Sequence, residues 1–110
     1  MAYDEDLANG LRDVLADEDA VTEKKMFGGL AFLLHGNMAV SASRTGGLLT
    51  RIDPADTASS LARPHVSQME MGGRKMDGWV IVAPEGLKTK RDVADWVRRS
   101  VAFVKTLPAK

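Results

Sequence analysis

The chain has 110 residues, of which 15 are basic and 15 acidic, so its formal net charge is zero. It contains no cysteine, which excludes disulfides, thiolate nucleophiles and cysteine-ligated metal centres. Its two histidines, His35 and His65, are too few for a histidine-rich metal site, and no apolar run approaches the roughly 20 residues of a membrane span. We therefore expect one cytoplasmic domain, residues 1–110, without cofactor, metal or membrane contact.

The charges are distributed unevenly along the chain. Residues 1–23 hold eight acids and one base, whereas residues 24–62 carry a net charge of +2 and residues 63–110 a net charge of +5. The simpler interpretation is that each helix has a solvated charged face. The alternative is an electrostatic dipole that serves self-association or steers a partner.

The first half of the chain predicts one helix followed by a strand meander. A helix is expected over residues 4–16, because Leu7, Leu11, Val14 and Leu15 recur on one face. Strands are expected over residues 21–27, 30–34, 38–43 and 48–52, separated by turns at residues 28–29, 35–37 and 44–47. The run 30–34 is continuously apolar, which is consistent with a strand buried on both faces.

The second half predicts a short helix, one or two strands and a long helix. Asp53-Pro54 is a helix start, and the following helix ends before Pro64. Gly72-Gly73 predicts a turn and residues 75–82 a strand. Thr89 and Asp92 form a capping-box pattern for a last helix that runs to about residue 107. Strands grouped between helices indicate an α+β fold with two layers, in which helices cover an antiparallel meander.

The methionines have two interpretations. We expect Met26, Met38 and Met76 to fill the core, because methionine adapts to irregular gaps. The segment Met69-Glu70-Met71 lies beside a glycine pair and is harder to bury, so it predicts an edge strand or a dimer contact.

The sequence contains no convincing catalytic constellation. Lys24 and Lys25 beside Gly28-Gly29 resemble a phosphate-binding loop only superficially, since no helix follows the glycines. Each histidine is predicted in a turn or loop without a positioned partner, and no nucleophile-elbow pattern surrounds the available serines, which are Ser41, Ser43 and Ser67. We expect a protein that is not an enzyme.

Four segments in order resemble the amino-terminal domain of the TfoX/Sxy family, named for regulators of bacterial DNA uptake. They are residues 25–29, residues 49–52 before Asp53, residues 73–80, and the Trp96-Val97 helix with the closing segment 107–110. The resemblance implies a two-layer α+β fold similar to that of type III secretion chaperones. Competence regulators of the family join this domain to a carboxy-terminal one, which these 110 residues do not include. The resemblance supplies no catalytic residues.

The leading hypothesis is a small non-enzymatic binding or regulatory module, resembling this domain, that acts through protein–protein contacts or as a homodimer. An exposed sheet edge or the Met69–Met76 region would supply the contact. The second hypothesis is a nucleic-acid-binding accessory protein that uses the basic last helix and Arg74-Lys75 near Trp79. The third is an enzyme or small-ligand binder with a pocket between sheet and helices. The candidate contact residues are Lys24, Lys25, Met69, Met71, Arg74, Lys75, Arg98 and Arg99.

Overall fold

The computed structural model describes residues 3–26, 28–44 and 46–109. Its elements, in chain order, are α1 (Glu5–Val14), β1 (Val21–Met26), β2 (Gly29–Leu34), β3 (Asn37–Ala42), β4 (Leu48–Arg51), α2 (Thr57–Leu61), β5 (Val66–Met71), β6 (Arg74–Val82) and α3 (Lys90–Val104). Short 3-10 turns at Pro54–Asp56 and Pro84–Gly86 precede α2 and α3.

All six strands form one antiparallel sheet in the order β1-β2-β3-β4-β6-β5. The first four strands follow chain order, as a meander does, and the β5–β6 hairpin then adds to β4 through β6. The α+β class predicted from the sequence is confirmed. β5 lies at the edge of the sheet, which confirms the edge-strand interpretation of Met69-Glu70-Met71.

The β2–β3 turn is two residues long because Leu34 pairs directly with Asn37. Both residues of the turn, His35 (φ 51°) and Gly36 (φ 81°), have positive φ, as a tight turn matched to the strand twist requires. The predicted turn at residues 35–37 is therefore one residue too long. Phe27, the predicted end of the first strand, lies outside the described residues.

The helix starts are fixed by local hydrogen bonds. The Asp4 carboxylate accepts from the backbone N–H groups of Asp6 and Leu7 at 2.9 and 3.2 Å, which satisfies donors that have no partner inside the helix. At α3, the Thr89 hydroxyl accepts from the Asp92 N–H at 3.1 Å and the Asp92 carboxylate accepts in return from the Thr89 N–H. The predicted capping box is confirmed.

The core lies between the helices and one face of the sheet. α1 and α3 contribute Leu11, Trp96 and Val97 to the same buried cluster as the inward side chains of the strands, among them Phe32 and Val80. Leu61 of α2 packs against this cluster, so all three helices lie on one side. The predicted apolar face of the last helix is buried, as expected (Val93, Trp96, Val97, Val101 and Val104).

Hydrogen bonds and an ion pair connect α1, α3 and the segment after α3 to the sheet. Arg12 of α1 donates two hydrogen bonds of 2.7 Å to Glu23 of β1, which lowers the pKa of the Glu23 carboxyl below its ordinary value. The buried Ser100 hydroxyl of α3 donates to the Ala39 carbonyl at 2.8 Å. Beyond α3, the Asn37 side chain donates to the Pro108 carbonyl at 2.9 Å, which ties the C-terminal segment to the start of β3.

The methionine prediction is wrong for three residues. Met26, Met38 and Met76 are half-buried and lie outside the core cluster. The reason for Met26 and Met38 is register, since they alternate with residues that face the helices. None of the described helices has the length and apolar composition needed to cross a bilayer.

Candidate functional site

The sheet face opposite the helices has no covering layer in the described part of the chain. Because side chains alternate along a strand, the register assigns this face directly: Leu49 pairs with Ser41 and Ile81, whereas their neighbours Leu48 and Val82 face the core. Seven apolar side chains on this open face are half-buried, namely Met26, Leu33, Met38, Leu49, Met69, Trp79 and Ile81. The smaller Ala31 and Ser41 between them are buried.

The open face is concave. Met26 on edge strand β1 and Met69 on edge strand β5 line the same pocket of about 240 Å³, together with Leu49 and Ile81. Four strands separate β1 from β5, which in a flat sheet would place them about 24 Å apart. The sheet therefore curls over its open face and forms a groove, and the β5 irregularity at Met69 contributes to that bend.

Two cations, Lys24 and Arg51, occupy strand positions of the open-face set by backbone register, although neither lines the pocket. Lys24 pairs with Ala31 in the row that contains Leu49 and Ile81, and Arg51 pairs with Trp79. The Arg51 guanidinium carbon lies 5.2 Å from the centre of the Trp79 ring and 5.8 Å from that of Phe103, a residue of α3. Asp77 belongs to the same alternating set of β6 as Trp79 and Ile81, so this side of the sheet carries charges of both signs, whereas the pocket itself is lined by apolar side chains, serines and Gly29.

The sheet edges are less suited to a contact than the face. β1 exposes Glu23, Lys24 and Lys25 along its length, and charges of this kind discourage the addition of another strand. β5 is interrupted by the register shift between Gln68 and Glu70. The charges on β1 and the irregularity of β5 therefore disfavour the predicted protein–protein contact through a sheet edge.

The structure separates most of the predicted contact residues. Lys24 and Lys25 are exposed on opposite faces of β1, so they do not form one anion site. Met69 lies in the open groove. Met71 is the last residue of β5 and pairs with Arg74, while its side chain lies outside the described part of the structure.

The predicted basic residues lie on two different elements. Arg74 and Lys75 lie at the tip of the β5–β6 hairpin, where Lys75 pairs with Glu70. Arg98 is exposed on α3. Arg99 is held by the Asp95 carboxylate at 3.3 Å and lies over the Trp96 ring, so its guanidinium is already engaged.

The histidines and serines do not assemble a reactive centre in the described residues. His35 and His65 are exposed in turns, both with positive φ, and Ser67 is exposed on β5. Within the same residues, no group of three or more His, Asp or Glu side chains is arranged to hold a metal. A second cleft of about 480 Å³ lies between α1 and the start of α3, and it has acids on one wall and Lys88 and Lys90 on the other.

Sequence reasoning missed the open face itself. Its signal was present in β4 and β6, where apolar residues occupy both alternating sets, as in Leu48-Leu49 and Val80-Ile81. The sequence analysis predicted burial on both faces for the run 30–34 alone, and the described helices cover one face of the sheet only. Arg51, two residues after Leu49 on β4, was not among the predicted contact residues.

These features define a two-layer α+β domain with one helix-covered sheet face and one open, concave face. The chain matches the TfoX N-terminal domain over residues 13–104, which is most of its length, and it belongs to that family. The resemblance stated from the sequence is confirmed, and the family is linked in general to competence regulation. No curated protein and no solved structure matched the chain. The similarity to type III secretion chaperones stays a prediction.

Proposed function

We propose that this protein is a non-enzymatic regulatory module of the bacterial cytoplasm that binds another protein in its open groove. The observation that carries the proposal is the row of half-buried apolar side chains on a concave sheet face that the described helices leave uncovered. A contiguous apolar surface of this kind marks interaction sites in small domains.

The composition of the groove suits a protein partner. Tryptophan and methionine are enriched at interfaces; Met26 and Met69 line the groove pocket, and Trp79 and Met38 lie elsewhere in the same strand set of the open face. Methionine side chains can also repack around partners of different shape. Each apolar side chain that a partner covers contributes about 25 cal/mol for every Å² removed from water.

The other two hypotheses have less support. Nucleic-acid contact through α3 would use Arg98 and Arg99, and the Arg99 guanidinium is already engaged by Asp95 and Trp96. Catalysis would need an acid–base pair, whereas the groove pocket is lined by apolar side chains, serines and Gly29.

The test is site-specific photo-crosslinking in the native cell. A benzophenone amino acid is placed at Met69 in the groove, and the matched control is placed at Ala102, which is exposed on α3 on the helix side. The partner captured at Met69 is then purified and titrated against wild-type protein and against Leu49→Asp.

We expect protein adducts at Met69 that are absent at Ala102, and affinity for the purified partner that Leu49→Asp abolishes. Equal adducts at the two positions would contradict the proposal. So would a purified partner that binds Leu49→Asp as tightly as wild type while circular dichroism shows that the variant is folded.

A further inference from the structure

We infer that the cleft between α1 and the start of α3 is a second docking site, and that it takes an amphipathic helix from another protein. The inference goes beyond the proposed function, because this cleft shares no lining residue with the pocket of the open groove. The observation that carries it is the open space over Gly10, which lies on an apolar floor between walls of opposite charge.

The floor of the cleft is apolar and follows the length of α1. Leu7, Gly10 and Val14 recur at intervals of three and four residues, so they form one seam along the helix. Leu7 and Val14 are half-buried against the core, and Leu87 and the buried Val93 complete the floor. The cleft volume of about 480 Å³ lies within the range of ligand-binding cavities.

Gly10 is the unusual residue of this seam. Glycine inside a helix is less stable than alanine, so a helical glycine calls for a reason. A β-carbon at Gly10 would meet no atom within 4 Å, and packing in the described part of the chain therefore does not require a glycine there. The glycine leaves a hole between Leu7 and Val14, of the kind that an apolar side chain from a neighbouring helix fills.

Charges of opposite sign border the cleft. Asp6 and Asp13 lie on α1, one before and one after Gly10, and Lys88 and Lys90 lie at the start of α3. All four charged side chains are exposed, and none forms an ion pair with another described residue. A partner that has bases along one edge and acids along the other complements both walls.

A helix suits this cleft better than an extended segment. Asp6 and Asp13 are seven residues apart, about 10 Å along α1, which corresponds to two turns of a partner helix lying beside it. None of the described lining residues belongs to a strand, so an extended segment would find no sheet edge to pair with over the apolar floor. A helix satisfies its own backbone hydrogen bonds.

A second copy of this chain is a poor occupant. Its α1 carries the same two acids beside the same seam, so two α1 helices would bring like charges together. The apolar face of its α3 is already buried in its own core, and its α2 has only five residues. The geometry therefore favours a helix from a different protein.

The experiment is selection from a displayed library of helical peptides two heptads long. Leucines form the peptide seam, the central seam position is randomised among Gly, Ala, Leu and Phe, and the two edges are randomised among Lys, Glu and Ser. The targets are wild type, Gly10→Leu and Asp13→Lys, with Asp17→Lys as a matched control outside the cleft and Leu49→Asp as a control in the open groove.

Enriched peptides are synthesised, and fluorescence anisotropy measures their affinity while circular dichroism measures the helix content that they gain on binding. Gly10→Leu places its side chain in open space and exchanges a poor helix former for a good one, so it should be at least as stable as wild type. Circular dichroism and thermal unfolding establish that each variant is folded.

Wild type and Leu49→Asp should enrich the same peptides, which have a large apolar central residue, Lys on one edge and Glu on the other. Gly10→Leu should bind them on the order of 10- to 100-fold more weakly, because its side chain fills the hole. Asp13→Lys should bind about 3- to 10-fold more weakly at low salt, and changing the facing peptide Lys to Glu should restore the affinity. Asp17→Lys should match wild type, and the bound peptide should gain helix content.

Each contrary outcome has its own meaning. A lack of enrichment with wild type, equal affinity for wild type and Gly10→Leu, or binding without a gain of helix would overturn the inference. Enrichment that Leu49→Asp abolishes and Gly10→Leu preserves would place the peptides in the open groove, which overturns this inference and leaves the proposed function standing. A small molecule that native mass spectrometry finds on wild type but not on Gly10→Leu, or a dimer that Gly10→Leu dissociates, would assign the cleft to another occupant and overturn the inference.

Discussion

At the scale of single residues, two buried serines differ in whether their hydroxyl has a partner. Ser100 is fully buried and its hydroxyl donates to the Ala39 carbonyl, whereas Ser60 is 2% exposed and its hydroxyl has no hydrogen-bond partner among the described residues. A buried polar group that lacks a partner costs free energy, and one that has a partner does not.

Ser100→Ala should lower the free energy of unfolding by about 1–3 kcal/mol, because the substitution leaves the Ala39 carbonyl without its donor. Ser60→Ala should leave the free energy of unfolding unchanged or raise it, because it removes an unsatisfied hydroxyl. Urea unfolding of both variants measures these two changes in the free energy of unfolding. An equal loss in the two variants would contradict this account.

Two glycines differ in the room around them. Gly10 lies inside α1, and a β-carbon built there meets no atom within 4 Å, whereas at Gly29 it would overlap the carbonyl oxygen of Ala42 on the neighbouring strand. Gly10→Ala should raise the free energy of unfolding by about 0.5–1 kcal/mol, because alanine restricts the unfolded chain and favours helix. Gly29→Ala should lower it. A melting temperature that shifts in the same direction in Gly10→Ala and Gly29→Ala would contradict this prediction.

At the scale of elements, the ion pair between Arg12 and Glu23 joins α1 to the edge strand β1. Its two hydrogen bonds of 2.7 Å lower the pKa of Glu23 in the folded state. The two side chains are 42% and 38% exposed, so solvent screens the pair and its contribution to stability is modest.

The pH dependence follows from the sign of that shift. Because the Glu23 pKa is lower in the folded than in the unfolded state, its contribution is complete above its ordinary value of 4.5 and is lost as pH falls through the folded pKa. Glu23→Gln should therefore lose stability relative to wild type at neutral pH, and the difference should shrink at about pH 3. Urea unfolding at both pH values measures this, with the exposed Asp17→Asn as control. A difference in the free energy of unfolding between wild type and Glu23→Gln that grows on acidification would contradict this prediction.

The start of α3 depends on its capping box. Thr89→Ala removes the hydroxyl that accepts from the Asp92 N–H and should lower the free energy of unfolding by about 1 kcal/mol. Thr89→Ser keeps the acceptor and is the matched control. Chemical denaturation of both variants distinguishes loss of the cap from loss of the methyl group, since only the alanine variant should be destabilised strongly.

At the scale of the whole molecule, the sequence predicted the elements better than their arrangement. Apolar spacing located α1 and α3, and the turn at His35-Gly36 located the β2–β3 hairpin. The curl that brings Met26 and Met69 to one pocket depends on contacts between strands distant in sequence, which local patterns do not record. The sequence analysis singled out Met69, which lines this pocket, but not Leu49 or Ile81 beside it, because their neighbourhood depends on that curl.

The oligomeric state is a property of the whole molecule that this curvature predicts. Because one concave groove does not complement another, the purified protein should remain a monomer over a wide concentration range at low and high salt. Sedimentation velocity measures this. A dimer that Leu49→Asp dissociates would show instead that the open face binds a second copy.

The hydrogen bond from Asn37 to the Pro108 carbonyl has a practical consequence for handling the protein. It anchors the segment after α3 beside the β2–β3 turn, at the opposite end of the strands from the pocket bordered by Gly29 and Ser43. A fluorophore or a biosensor surface coupled at the C-terminal end would therefore leave that pocket accessible. Coupling through the lysines of β1 would risk obstructing it.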